Sequence, residues 1–355
     1  MNILYLLNHA GKGGSEKYVK CMAEYALLQG DNVFFAYNEA GGLVEQMEAL
    51  CGSAFRLEMK SPMDIKAART LAKYCSENKI DLIHTQFARE NYIAILSKKL
   101  FGNKVRVIHT CHINTPNNTL WRTMNKFFMG GNERIIAVCS SVKKLLVQNN
   151  YPEEKIQLVH NGVYYREHLE RAEQVERPFT FISLMRFSEE KGVLFLLESA
   201  ERLAASSEGF LLTVAGDGPL YDKARDFVRE TGLSEIVALP GYCEDVQELL
   251  AGADCYINSS SSEALSFAIL EAMEAGLSII ATDVGGNPDI VNEHNNCGLL
   301  VPYGDTVAMV EAMTDMINNP DRSKEMAKNA RKAIKEVFNI DNSIKTTYNV
   351  YQRSG

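Results

Sequence analysis

The sequence predicts an α/β protein built of two doubly wound domains that face a central cleft. Three observations carry that prediction. Short β-branched or aromatic runs alternate with helix-length amphipathic segments, the pattern of βα units that build a parallel sheet covered on both faces. The runs fall into two sets, parted by one charged stretch poor in aliphatic residues. The chain of 355 residues, at roughly 150 per domain, is also long enough for two sizeable hydrophobic cores.

The elements follow in order. Strands are predicted at 2–7 (NILYLL), 32–37 (NVFFAY), 54–59 (AFRLEM), 81–85 (DLIHT), 105–110 (VRVIHT), 134–139 (RIIAVC) and 156–160 (IQLVH), with helical patterns between most of them. The stretch at 164–178, YYREHLERAEQVERP, is closed by a proline and marks the domain boundary, placed at 170/171. A second set of strands is predicted at 179–185, 210–216, 235–241, 254–259, 278–282 and 298–302. After Pro302 the pattern is wholly helical, and the last segment, 339–355, carries apolar residues at helical spacing. No internal repeat and no low-complexity tract is present.

Composition narrows the class. With 46% apolar and 23% charged residues the chain is ordinary globular material, not a disordered or collagenous one. No apolar run approaches the roughly 18 to 20 residues that span a bilayer. The start, MNILYLLNHAGKGG, is too quickly polar for a secretory signal, so a cytoplasmic protein is expected. The 8 cysteines form no Cys-x-x-Cys pair or zinc-finger spacing and read as reduced, mostly buried thiols. Net charge is −8, yet residues 1–170 hold 21 basic against 16 acidic side chains and the remainder 16 against 29. A positive first half suits an anionic partner such as a phosphorylated acceptor or a membrane surface, or is simply a solvated face. No nucleic-acid partner is expected.

Several segments carry candidate chemistry. Gly11-Lys12-Gly13-Gly14-Ser15-Glu16 follows the first strand and opens a helix, where backbone N–H groups favour anions; an ordinary strand-to-helix turn explains the glycines equally. Arg186 and Lys191 follow the first strand of the second domain, where two cations can converge on a diphosphate or pair with Glu189 and Glu190. The block 259–273, SSSSEALSFAILEAM, puts Glu263 in a loop and Glu271 inside a helix starting near Ser266. The amides of Leu265, Ser266 and Phe267 can then meet phosphate or sugar oxygens, while both carboxylates accept from hydroxyls. His84 and His112 each stand at the end of a first-domain strand, where open parallel sheets bind ligands, and His109 reads as core. No Asp-x-Asp is present, so the reading requires no metal. The segment at 118–130 places Trp121, Met124, Phe127 and Phe128 beside Arg122 and Lys126, either as a membrane-surface helix or as core.

In this order and spacing the segments resemble the retaining GT-B glycosyltransferases of family 4, the group 1 enzymes of bacterial polysaccharide and glycoconjugate assembly. The resemblance rests on Gly13-Gly14-Ser15-Glu16, His112, His160-Asn161-Gly162-Val163, Arg186 with Lys191, Ala215 to Pro219, Leu239-Pro240-Gly241-Tyr242, Glu263 with Glu271, and Asp283-Val284-Gly285-Gly286. It implies two Rossmann-like domains, the first (1–170) for the acceptor and the second (171–338) for a nucleotide diphospho-sugar. The last helix (339–355) would cross back to the first domain.

The resemblance also implies roles. Arg186 and Lys191 would hold the diphosphate, Glu271 the ribose, and Glu263 with the amides of Leu265, Ser266 and Phe267 the transferred sugar. His112 would lie against that sugar, and Gly241 and Tyr242 would border the base beside Gly216. Gly13, Gly14, Glu16 and His84 would wall the acceptor side. The implied donor is a UDP-sugar, with no further cofactor, and the implied acceptor a saccharide or a lipid-linked one, reached at the inner face of the cell membrane. Two departures bear on specificity: Glu263-Ala264-Leu265-Ser266 replaces the family's Glu-Gly-Phe-Gly, and Gln86 stands where some relatives have histidine. The alternatives are a transferase-like subunit without catalysis, a sugar-nucleotide 2-epimerase on the same scaffold and, more remotely, a nicotinamide-dependent enzyme.

Overall fold

The computed structural model describes residues 1–11, 13–112, 119–167, 177–206 and 209–352. Each predicted strand forms. They are β1 (Asn2–His9), β2 (Asn32–Glu39), β3 (Ala54–Arg56), β4 (Leu82–Thr85), β5 (Arg106–Cys111), β6 (Arg134–Ala137), β7 (Ile156–Leu158), β8 (Phe179–Leu184), β9 (Phe210–Ala215), β10 (Val237–Gly241), β11 (Cys255–Asn258), β12 (Ser278–Thr282) and β13 (Gly298–Val301). The expected third strand loses the most: the Leu57 amide still donates to the Tyr37 carbonyl at 2.8 Å, and beyond it the Asn38 side chain takes over, its Oδ1 accepting from the Met59 amide at 2.8 Å.

The chain divides into two compact units, Met1–Asn161 with Asp341–Gly355, and Gly162–Ile340. The boundary expected at 170/171 lies outside the described residues. The first unit holds a seven-stranded sheet in the order β3-β2-β1-β4-β5-β6-β7, and the second a six-stranded sheet in the order β10-β9-β8-β11-β12-β13. Strands in both pair in parallel because helices carry the chain back across a face between them. In each sheet the order reverses beside the first strand, between β1 and β4 and between β8 and β11. Connections there leave in opposite directions and open a crevice at the carboxyl ends.

The cores explain why the runs are continuous and not alternating. Ile3 through Leu7 are fully buried, as is every residue of β12, since helices cover both faces of the sheet. Each buried aliphatic chain contributes about 1.5–3 kcal/mol relative to exposure.

The last helix, Ile340–Gln352, lies almost wholly in the first unit. Its Tyr351 is fully buried and its hydroxyl meets His84 Nδ1 at 2.6 Å. Thr347 Oγ1 meets the Tyr18 hydroxyl at 2.8 Å, and the Tyr348 hydroxyl donates to Asp31.

The segment at 118–130 divides its aromatic residues. Phe128 is 3% exposed and packs edge-on against Tyr92, so it is core and not a membrane-facing side chain. Phe127 is 63% exposed with the Lys99 ammonium 3.6 Å above its ring. Asn118 and the side chain of Trp121 lie outside the described residues. Among the described residues no helix is long and apolar enough to cross a membrane.

Candidate active site

In the second unit the reversal of strand order gathers the predicted polar residues. The chain leaves β8 through Met185 and the exposed Arg186, then makes a turn at Glu189–Lys191 before the helix Val193–Ala204. From the adjacent β11 it passes through the serine loop, 259–262, to the helix Phe267–Glu274, capped by the Ser266 hydroxyl accepting from the Ile269 amide. Arg186, Lys191 and Glu263 thus stand at the carboxyl ends of two neighbouring strands.

Lys191 and Glu263 are in contact. Lys191 Nζ donates to Glu263 Oε1 at 2.7 Å, the Ser260 hydroxyl donates to the same oxygen at 2.7 Å, and Asn258 Nδ2 reaches it at 3.3 Å. The carboxylate is 10% exposed and the lysine 29%. Asn258 is itself held, its Oδ1 accepting from Asn287 Nδ2 at 3.1 Å, while Asn287 also donates to the Thr282 carbonyl at 2.9 Å. A niche of about 30 Å³, room for one water, opens among Met185, Lys191, Asn258, Ser260, Glu263 and Ser266.

Two glycines hold this arrangement from behind. Gly285 has φ +56° and packs on the Glu263 backbone, where a Cβ would fall 1.7 Å from the carbonyl oxygen. Gly216 has φ +138° and lies on Met185, a Cβ there falling 1.8 Å from its carbonyl oxygen. The predicted site residue Gly216 therefore supports the loop that carries Arg186, and its amide donates to the Gly241 carbonyl at 2.8 Å. Beyond Gly241 the ring of Tyr242 is 72% exposed.

Glu271 lies just over one turn into the helix and is partly exposed. Burial raises the Tyr256 phenol pKa, and the charges of Glu263 and Glu271 raise it further, so both carboxylates act on one neighbourhood. Leu265 and Ser266 are buried at 5% and 6% exposure, so what they and Phe267 present is backbone: the loop amide of Leu265, the N-cap amide of Ser266 and the first helical amide of Phe267, which lacks an intrahelical acceptor.

In the first unit Gly13 caps the helix Gly14–Leu28. Glu16, 7% exposed, turns back on the glycine loop: its carboxylate accepts from the Gly11 amide at 3.3 Å and from the Ser15 hydroxyl at 2.7 Å. His112, just past β5, has both ring nitrogens engaged, Nε2 with Gln86 Oε1 at 2.9 Å and Nδ1 with Asn161 Nδ2 at 3.4 Å. With the Gln86 oxygen facing the ring, Nε2 carries the proton. Burial, with a smaller contribution from His109, pushes the His112 pKa down to about 3, so the ring is neutral at physiological pH.

His84 corrects the sequence reading. It is fully buried, with Nδ1 on Tyr351 and Nε2 on Thr110 Oγ1 at 2.8 Å, so it docks the last helix and does not wall an acceptor. His109, 1% exposed, is core as expected.

Sequence reasoning also missed residues. Asn258 and Asn287 support Glu263, and the signal for Asn287 was its place directly after Gly285-Gly286. Glu90, fully buried in the first helical turn after β4, accepts from the Phe87 amide at 2.8 Å, while its Oε2 has no partner among the described residues. Burial raises its pKa from 4.5 to about 8. The folded protein therefore holds a proton that the unfolded chain releases between these values; the stabilisation is complete below 4.5 and is lost as pH rises through about 8. Glu90→Gln cannot titrate and should melt a few degrees above wild type at about pH 8.5, the gap closing at about pH 5. Parallel Tm–pH curves would contradict this.

Comparison with known proteins gives the class. Residues 166–333 match the family described as Glycosyl transferases group 1, and residues 12–165 the one described as Glycosyltransferase Family 4. The N-acetyl-alpha-D-glucosaminyl L-malate synthase of Bacillus anthracis is 24% identical over 304 residues, 82% of this chain and 79% of that protein. The UDP-Gal:alpha-D-GlcNAc-diphosphoundecaprenol alpha-1,3-galactosyltransferase of Escherichia coli is 23% identical over 298 residues, 78% of this chain and 76% of that one. A Rickettsia africae glycosyltransferase superposes with a TM-score of 0.85 at 17% identity, covering 100% of this chain and 99% of that one. The Anabaena protein HepE, solved in complex with UDP, gives 0.85 at 16% identity, covering 99% of this chain and 100% of its own. The chain belongs to the group 1, or family 4, glycosyltransferases: it is a glycosyltransferase of GT-B architecture.

Proposed function

We propose that this glycosyltransferase moves a sugar from a UDP-sugar to a saccharide or lipid-linked acceptor in polysaccharide or glycoconjugate assembly, with retention of configuration and without a metal. The observation that carries the reading is the placement of Arg186, Lys191 and Glu263 at the adjoining ends of β8 and β11. The pairing of a UDP complex with the same fold, and a UDP-galactose enzyme among the relatives, favours uridine.

In this reading Arg186 and Lys191 neutralise the diphosphate as the bond from the anomeric carbon to the phosphate oxygen breaks. The acceptor oxygen bonds to that carbon from the same face, and its proton passes to the departing phosphate oxygen, so no protein nucleophile is required. Glu263 and the backbone amides of Leu265, Ser266 and Phe267 hold the sugar hydroxyls, and Glu271 the ribose. The first unit takes the acceptor, with Gly13, Gly14 and neutral His112 on that side. A contact with a membrane surface through the segment at 118–130 would use exposed Phe127 with Lys99, Arg122 and Lys126, beside Trp121; unchanged binding of a Trp121→Ser, Phe127→Ser double variant to anionic liposomes would remove it.

The test supplies UDP-glucose, UDP-galactose and UDP-N-acetylglucosamine with a panel of saccharide and lipid-linked acceptors in chelator, and reads the product's anomeric linkage by NMR. Acceptor-dependent transfer with the donor's configuration kept is expected. An inverted linkage, activity only with added metal, or turnover of the donor sugar at its second carbon without any acceptor would overturn the respective part.

A further inference from the structure

We infer that the Lys191–Glu263 pair makes the site discriminate against the free nucleoside diphosphate in favour of the sugar nucleotide, so that the spent nucleotide leaves as the pair re-forms. The inference rests on the nucleotide-sugar reading above and concerns the regulation of that same site.

Exposed ion pairs contribute little, because water solvates each partner as well as the other does. This pair differs. Three donors converge on Glu263 Oε1, the carboxylate is 10% exposed, and one of the donors, Asn258, is braced by Asn287 from the strand end beyond. The pair is therefore built into the resting site and does not arise from two side chains meeting in solvent.

A diphosphate oxygen that binds the Lys191 ammonium competes with Glu263 for it. The carboxylate keeps the Ser260 and Asn258 donors but loses hold of the Lys191 ammonium while remaining largely shielded from water, and breaking a shielded ion pair from one side is costly. A donor sugar offers hydroxyl groups that donate to Glu263 and restore the lost bond. The free nucleoside diphosphate offers phosphate oxygens, which only accept, so it opens the pair and returns nothing. Glu263 thus penalises the nucleotide alone and spares the nucleotide carrying a sugar.

Calorimetric titration with UDP and with UDP-glucose tests this on wild type, Glu263→Gln and Glu263→Ala, the second substitution standing in should the first not fold; GDP and ADP with their glucosides serve as parallel probes. Removing the charge should tighten UDP binding by about tenfold or more and leave UDP-glucose unchanged or weaker, so the preference for the sugar nucleotide falls by at least that factor. Adding Lys191→Met should then weaken UDP binding more in the Glu263→Gln background than in wild type. UDP affinity equal within twofold in wild type and both variants overturns the inference and leaves the proposed function standing. Failure of wild type to bind UDP, GDP or ADP, alone or as glucoside, overturns the nucleotide reading and the inference with it.

Discussion

Lys191→Ala loses sugar transfer by about 10²- to 10³-fold while the protein keeps its fold, the size of effect seen when one preorganised donor to developing charge is removed. The structure makes the two halves of this result separable. Lys191 is 29% exposed, on a turn between β8 and the helix Val193–Ala204, and lines the niche at the strand ends, so its truncation enlarges that niche and removes no side chain of the apolar core. What it leaves behind is Glu263, still accepting from Ser260 and Asn258. Far-ultraviolet circular dichroism should therefore stay near wild type and Tm should fall by only a few degrees, the cost of taking this cation from the shielded carboxylate, while kcat collapses. If Lys191 were only half of a structural ion pair, transfer would fall by a few-fold at most, and that result would remove it from the reaction.

Gly285→Ala should be as damaging to transfer by a different route, with loss of fold quality in place of loss of charge. The position has φ +56°, and its added Cβ would sit 1.7 Å from the Glu263 carbonyl oxygen, where neither backbone can yield without moving the other. The loop bearing Glu263 must shift, and a displacement of about an ångström at a reacting centre costs on the order of 10²-fold. Melting temperature should also drop by several degrees, because strain in the left-handed region is added to the clash. Gly30→Ala is the control: φ is +83° there, but nothing lies within 4 Å, so only the backbone strain remains and transfer should be unaffected. Equal behaviour of the two variants would show that the approach to Glu263 is unimportant.

The strands were legible because parallel strands covered on both faces are continuous apolar runs, and β1 and β12 are nearly that without interruption. The serine-rich block before Glu271 was legible as local structure, a polar loop after a buried strand opening a helix at a serine cap, and the structure has that loop between β11 and the helix Phe267–Glu274. What the sequence hid is what long-range packing decides. His84 and His112 stand alike at the ends of neighbouring strands, yet Tyr351, from the far end of the chain, covers the first, while Gln86 and Asn161 hold the second in place. Phe127 and Phe128 are adjacent, and only their neighbours Lys99 and Tyr92 tell solvent from core. Asn258 and Glu90 gave no signal at all, because an asparagine at a strand end and a glutamate in a first helical turn are ordinary until their surroundings are known.

The most direct test of the central claim, that the carboxyl ends of β8 and β11 hold a nucleotide diphospho-sugar, is a thermal-shift titration of wild type and Arg186→Ala with UDP, GDP, ADP and their sugars, in chelator. A ligand that binds only the folded state raises Tm by mass action. One nucleotide family should raise the wild-type Tm and lose most of that effect in Arg186→Ala, which is exposed and whose loss should leave the unliganded Tm unchanged. A rise of the same size in both proteins, or no rise with any nucleotide, would contradict the claim.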